Sequence, residues 1–385
     1  MDLKALPFRS PLSAFEQQAE KLLASHRLAD PAAIDLFHRK HPRFLDEKIK
    51  WLPKAIPDSE IGDAVLTLDD ARLTIARYYD FLDWSSLAAS VEAISQEGTV
   101  SEFESAVETV VDGDLVALQD ALRRAPRLVR ARSNRVCCFD PPVHRATLLH
   151  YVAANGVEAY RQKTPPDAVE VAHTLLQAGA EPDALADMYG AEYTTMSMLV
   201  SSSHPAKARL QVPLVELLLD FGAAIEGRGT RKWGGPLFTA LAFGMIDVAK
   251  VLAKRGARIG LPSAAGLGLV DEAIRLLPSA DAEARHRALS LAAQHGHAEI
   301  VRLLLESGEN PNRYNLEGNH AHTTPLHQAV LAGDEAVVRL LVERGARLDI
   351  RDTIWQGTPL GWALHGGGKA QPRMAECLRS LGAME

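Results

Sequence analysis

The sequence predicts an all-α repeat solenoid of about eight helix–turn–helix units with hairpin fingers, preceded by a helical N-terminal cap. Three observations carry that expectation. A short phrase that suits a helix start recurs along the chain, glycines recur at a fixed offset from it, and apolar residues recur behind it at helical spacing.

The unit is clearest at Thr324-Pro325-Leu326-His327-Gln328-Ala329, followed by Gly333, Val337-Val338-Arg339-Leu340-Leu341 and Gly345-Ala346. Its chemistry suits a helix pair. Thr caps the first helix with its hydroxyl, Pro fits the first helical position, and Leu and Ala pack inward. Gly345 ends the second helix in a left-handed conformation.

Sliding this frame along the chain gives starts at Glu104, Thr147, Thr194, Gly235, Ile259, Arg287, Thr324 and Thr358. The third position reads Ala106, Leu149, Met196, Leu237, Leu261, Leu289, Leu326 and Leu360, a column for burial. The ninth residue after the start is Gly113, Gly156, Gly244, Gly268, Gly296, Gly333 and Gly367, with Ser203 in the third unit. Second helices follow in the same register, such as Leu214–Leu219 before Gly222 and Glu299–Leu305 before Gly308. The first and fifth units match least well.

This phrase strongly resembles the ankyrin family, whose inner helix opens with Thr-Pro-Leu-His-x-Ala and whose period is about 33 residues. The resemblance implies a stack of paired helices, a concave palm and projecting fingers. It also implies that His150 and His327 brace the turn beneath them rather than act chemically. Residues 1–98 read as a separate helical leader and residues 99–385 as the ankyrin-repeat domain. The leader is similar to those of many bacterial ankyrin proteins. Ser13-Ala14-Phe15-Glu16 forms a capping box in front of Phe15, Ala19, Leu22 and Leu23. Asp30-Pro31 opens a second helix, Leu68–Leu82 spans a third and Trp84 begins a fourth.

Two units are longer than the rest. Extra residues fall between their paired helices, in Tyr160–Asp167 and around Ser203–Gln211, and read as surface loops. The first finger, 127–146, is long. By contrast Ile259 follows Gly256 so closely that no finger fits, and a notch in the palm is expected there.

Composition bounds the function. A net charge of −7 gives no reason to expect nucleic acid or an anionic membrane as partner. Cys137, Cys138 and Cys377 make no disulfide framework and favour a reducing compartment. No secretory signal and no membrane-length apolar run is evident, so a cytoplasmic protein is expected. No nucleophile elbow or phosphate-cradling loop occurs. His320-Ala321-His322 reads as a polar finger tip rather than a metal site, and no cofactor is called for. Cys137-Cys138 reads as two packed thiols, and the six arginines between Arg123 and Arg135 as the outer end of the first unit.

The expected function is recognition of a protein partner across the palm and fingers. The fifth position of each inner helix faces the palm in this reading: Glu108, Tyr151, Met198, Thr239, Ser263, Leu291, Gln328 and Trp362; of the rings on palm and fingers together, about half are expected to be exposed. With Tyr189, Tyr193, Arg228, Arg231, Trp233 and Trp355 from the fingers, Tyr151, Gln328 and Trp362 make the candidate partner site, since aromatic and Arg side chains dominate hot spots. The alternative is a small-molecule or enzyme pocket over units two to four, built around Phe139, His144 and Arg145.

Overall fold

The computed structural model describes residues 3–156, 158–230, 234–366 and 371–384. The leader contains α1 (Leu12–Arg27), α2 (Pro31–Lys40), α3 (Asp58–Gly62), α4 (Leu68–Tyr78) and α5 (Trp84–Ser95). Its core joins Phe15, Ala19, Leu22 and Leu23 of α1 to Phe37 of α2 and Ile75 of α4. Asp30 caps α2 as expected, accepting from the Ala32 N–H at 2.9 Å. The capping box expected at Ser13 does not form. Pro11 leads the chain into α1 at Leu12, so Ser13 already lies inside the first turn.

The paired helices follow in order. They are α6 (Thr99–Asp112) with α7 (Leu115–Arg124), α8 (Leu148–Val152) with α9 (Ala168–Gln177), and α10 (Thr195–Leu199), a short α11 (Ser203–Lys207) and α12 (Gln211–Asp220). Then come α13 (Pro236–Ala242) with α14 (Ile246–Lys254), α15 (Leu261–Leu267) with α16 (Val270–Leu276), and α17 (Ala282–Gln294) with α18 (Ala298–Glu306). The series ends with α19 (Pro325–Ala332) and α20 (Glu335–Glu343), then α21 (Pro359–His365) and α22 (Pro372–Ser380). These are the eight units of the sequence frame. Every residue of the third-position column is buried. The column glycines from Gly113 to Gly333 have positive φ, as helix ends require; Gly367 lies outside the described residues.

Three departures have physical causes. Helices α6 and α17 begin five residues before the frame start, because no Thr-Pro stop precedes them and Gly98 and Asp281 serve as caps instead. The insertion expected as a surface loop around 203–211 is partly helical, as α11. The other insertion is also no simple loop, since its Arg161 is buried.

The described chain groups into two compact units. One comprises Met1–Ala223 with Arg228–Thr230, the other Ala224–Gly227 with Arg231–Glu385. The division therefore falls after the third repeat rather than at the notch expected beside Ile259. At that position α13 packs directly on α15, with Leu241 against Gly266. Among the described residues no helix is long and apolar enough to cross a membrane.

Candidate functional site

The inner helices of successive repeats abut one another, α6 on α8 and α8 on α10 in the first unit, α15 on α17, α17 on α19 and α19 on α21 in the second. That packing buries most of the fifth-position column. Tyr151, Met198, Thr239, Ser263, Leu291 and Gln328 are all buried. Tyr151 and Gln328 were expected on an open palm, and both are instead enclosed by neighbouring helices. Gln328 spends its amide on Thr323 Oγ1 at 2.9 Å. Trp362 stays half-buried.

The second finger is a two-stranded hairpin, β1 (Ala186–Met188) and β2 (Ala191–Tyr193), with Ala186 opposite Tyr193. Its Tyr189-Gly190 turn has positive φ at both residues, as a tight hairpin needs. Tyr193, expected as a contact residue, is buried because its strand lies on the second repeat, where its carbonyl accepts from His150 Nε2. Tyr189 is half-buried and donates its hydroxyl to the Gly156 carbonyl at 2.7 Å. Arg228 is exposed and pairs with Asp183 at 3.0 Å. Arg231 and Trp233 lie outside the described residues.

His150 and His327 do brace their turns. In each, Nδ1 accepts from the N–H and hydroxyl of the Thr three residues back, Thr147 or Thr324. The proton then sits on Nε2 and reaches a finger carbonyl at 3.2 Å, that of Tyr193 or Gly357. Burial lowers both pKa values, that of His150 to about 4.

The alternative pocket is filled by an ion network that the sequence reading missed. Glu158 is its centre. One oxygen accepts from His144 Nε2 at 2.8 Å and from the Tyr151 hydroxyl at 2.7 Å. The other accepts from Arg161 Nη1 at 2.8 Å, with Arg135 Nη1 at 3.7 Å. Arg161 also meets Glu104 and Glu108. Burial works to raise the Glu158 pKa, but Arg135, Arg161 and the His144 bond outweigh it and hold it well below the usual range. The space left beside His144, Tyr151 and Glu158 is only about 20 Å³, roughly one water. Of the other pocket residues, Phe139 packs edge-on to Tyr189 and Arg145 is exposed with φ 56°. Only a signal of buried charge would have revealed Glu158 and Arg161, and their sequence context, a polar insertion, gives none.

The long first finger and this insertion hold the leader. Arg135 lies 3.7 Å over the Phe81 ring and donates to the Tyr79 carbonyl. Tyr160 packs edge-on to Tyr79. The backbone of Cys137 and Cys138 meets that of Asp80 and Phe81. Burial pushes the Cys137 thiol up to about 11 despite Arg135 nearby, so this thiol is a packing group and not a nucleophile.

The second unit carries an open aromatic groove of about 590 Å³. Trp355 and Trp362 line it with His320, His322, His365 and Leu331. Trp355 is 56% exposed. His322 meets Trp355 edge-on at 5.1 Å, and the two Trp rings are 6.3 Å apart. Asp352, fully buried, fixes them from below. It accepts from the backbone N–H of Ile354, Trp355 and Gly357, and from Trp362 Nε1 at 3.0 Å. Burial opposes ionisation of Asp352, but these bonds outweigh it and lower its pKa. His320 turns Nε2 to the Ala242 carbonyl at 2.9 Å. Burial lowers the pKa of His320 and His322, which disfavours charge on these two rings.

Comparison with known proteins finds ankyrin repeats in part of the chain. The family described as ankyrin repeats, in three copies, matches residues 261–352. The inactive serine/threonine-protein kinase TEX14 of Mus musculus is 30% identical over 92 residues, 24% of this chain and 6% of that protein. Protein PhlB of Serratia liquefaciens is 35% identical over 73 residues, 19% of this chain and 30% of its own. An ankyrin repeat-containing protein of Schizosaccharomyces pombe, P1E11.10, is 39% identical over 62 residues, 16% of this chain and 28% of its own. The chain thus spans less than a third of each of these relatives. The crystal structure of the human ASB11 ankyrin repeat domain aligns over 62% of this chain and all of that one, with TM-score 0.31 and 20% identity. The match over residues 261–352, with the recurring Thr-x-x-His brace and the paired helices, shows that this chain carries ankyrin repeats.

Proposed function

We propose that the chain is a binding protein that recognises a protein partner, and that the partner docks an apolar side chain in the groove beside Trp355 and Trp362. The supporting observation is Trp355 itself, a large ring more than half in water at an apolar groove. Such rings supply much of the energy of interfaces. The two Trp rings, with burial disfavouring charge on His320 and His322, favour an apolar anchor over a charged one. Three free thiols suit a reducing, cytoplasmic setting.

The test titrates a partner captured from lysate and identified by mass spectrometry. Trp355→Ala should raise its Kd about 30-fold, the effect of a hot spot of about 2 kcal/mol. The melting temperature should stay unchanged, since the ring is mostly solvated. An unchanged Kd removes the groove from the reading, and wild type that holds no protein removes recognition itself.

We also propose that residues 1–98 cap the repeat domain of residues 99–385. The support is the packing of α5 on α6 and the grip of Arg135 on Tyr79 and Phe81. Terminal repeats need such shielding.

A further inference from the structure

A cavity of about 460 Å³ lies between the leader and the first two repeats, wholly within the first compact unit. Ligand sites commonly have this size. Its walls are largely apolar, with the rings of Phe8, Phe15, Tyr79 and Phe81 and the side chain of Val91. Residues 5–8 form one wall and are tied down by the Leu6 N–H, which donates to the Tyr79 hydroxyl at 2.8 Å.

One end of the cavity is polar, and it offers a donor. The Tyr160 hydroxyl accepts from Arg135 Nη1 at 2.5 Å, and its own O–H donates to none of the described residues. A cation bonded to that oxygen strengthens the O–H as a donor. Two other neighbouring charges are already engaged. Arg161 is held by Glu104, Glu108 and Glu158, and Lys163 at the rim by Asp112 at 3.3 Å. The uncommitted partner at this end therefore needs to be an acceptor.

We propose that this cavity binds a small amphipathic molecule, with a ring-sized apolar body among Phe8, Phe15, Phe81 and Val91 and a carbonyl or carboxylate oxygen that accepts from Tyr160. The cavity belongs to the first unit and the aromatic groove to the second, so the proposal does not rest on protein recognition at the groove.

The experiment is calorimetric titration of the full chain with naphthalene, naphthamide and naphthoate, three probes that share a body and differ in head group. The better of naphthamide and naphthoate binds about tenfold tighter than naphthalene, as one hydrogen bond to a polarised donor provides. Whichever leads identifies the head as neutral or anionic. Tyr160→Phe erases that advantage and leaves naphthalene unchanged. Val91→Phe fills the apolar wall and weakens all three roughly tenfold, a cost of the lost space. Circular dichroism melts report that both variants fold. Equal affinity of the three probes, no binding of any to the wild type, or wild-type binding by Val91→Phe overturns the proposal. If Tyr160→Phe fails to fold, the probe ranking in the wild type and Val91→Phe decide it.

Discussion

The recurring Thr-x-x-His brace sets a pH signature at the level of single residues. His150 is buried and neutral, with its Nδ1 lone pair committed to Thr147. Its folded pKa, about 4, lies below the ordinary value of 6.5. Below pH 6.5 the unfolded chain takes up a proton that the native chain refuses. Stability is therefore complete above 6.5 and falls as pH drops toward 4, by about 1.4 kcal/mol per pH unit for each such histidine. Urea titrations between pH 7.5 and 4.5 should show this limb, and His150→Gln should flatten it. Two glycines separate backbone from packing in the same way. An alanine Cβ at Gly244 meets nothing within 4 Å, but φ is 74° there. Gly244→Ala should cost about 1 kcal/mol from strain in the left-handed region. At Gly268 the Cβ would also reach 2.6 Å from the His297 ring, which is bonded to the Gly266 carbonyl. Gly268→Ala should cost roughly 1 kcal/mol more, read from the shift in urea midpoint.

Among the elements, the two insertions have different roles. Residues 203–207 add a short helix, α11, ahead of α12. The insertion after α8 instead supplies Glu158, Tyr160 and Arg161, which join the long first finger to the leader. A centre that satisfies His144, Tyr151, Arg161 and Arg135 cannot lose its charge cheaply, because the guanidinium groups stay buried. Glu158→Gln should lower unfolding free energy by about 3 kcal/mol in urea denaturation. Asp349→Asn, at an exposed pair with Arg347, should change nothing measurable. If the two variants behaved alike, the network would be solvated and its role in holding the leader would fail.

For the whole molecule, the first three repeats belong with the leader in one compact unit, and the later repeats form the other. The proposed cap makes a direct prediction. Deleting residues 1–98 uncovers the apolar face of α6, including Phe103 and Val110, both buried in the intact chain. The truncated protein should melt lower and aggregate, as seen by light scattering. A truncated chain with unchanged melting and solubility would remove the capping role. The aromatic groove lies in the other unit, so the same deletion should leave tryptophan exposure at Trp355 to acrylamide quenching unaltered.

The sequence determined the repeat count, the buried third-position column, the glycine helix ends and the bracing histidines. Each of these depends on local chemistry, a cap, a period or a φ angle, that recurs in the chain. It also marked Trp355 and Trp362, because rings on finger and inner-helix positions are unusual enough to notice. Only the tertiary structure decided that Tyr151 and Gln328 are enclosed, by the close approach of adjacent inner helices, and that Tyr193 is enclosed, by its strand lying on the second repeat. It alone showed that His144 is absorbed by Glu158 and that Tyr160 faces a cavity beside the leader. Those contacts join residues from different segments of the chain, and a charged residue in a polar insertion looks the same in sequence whether water or an arginine surrounds it.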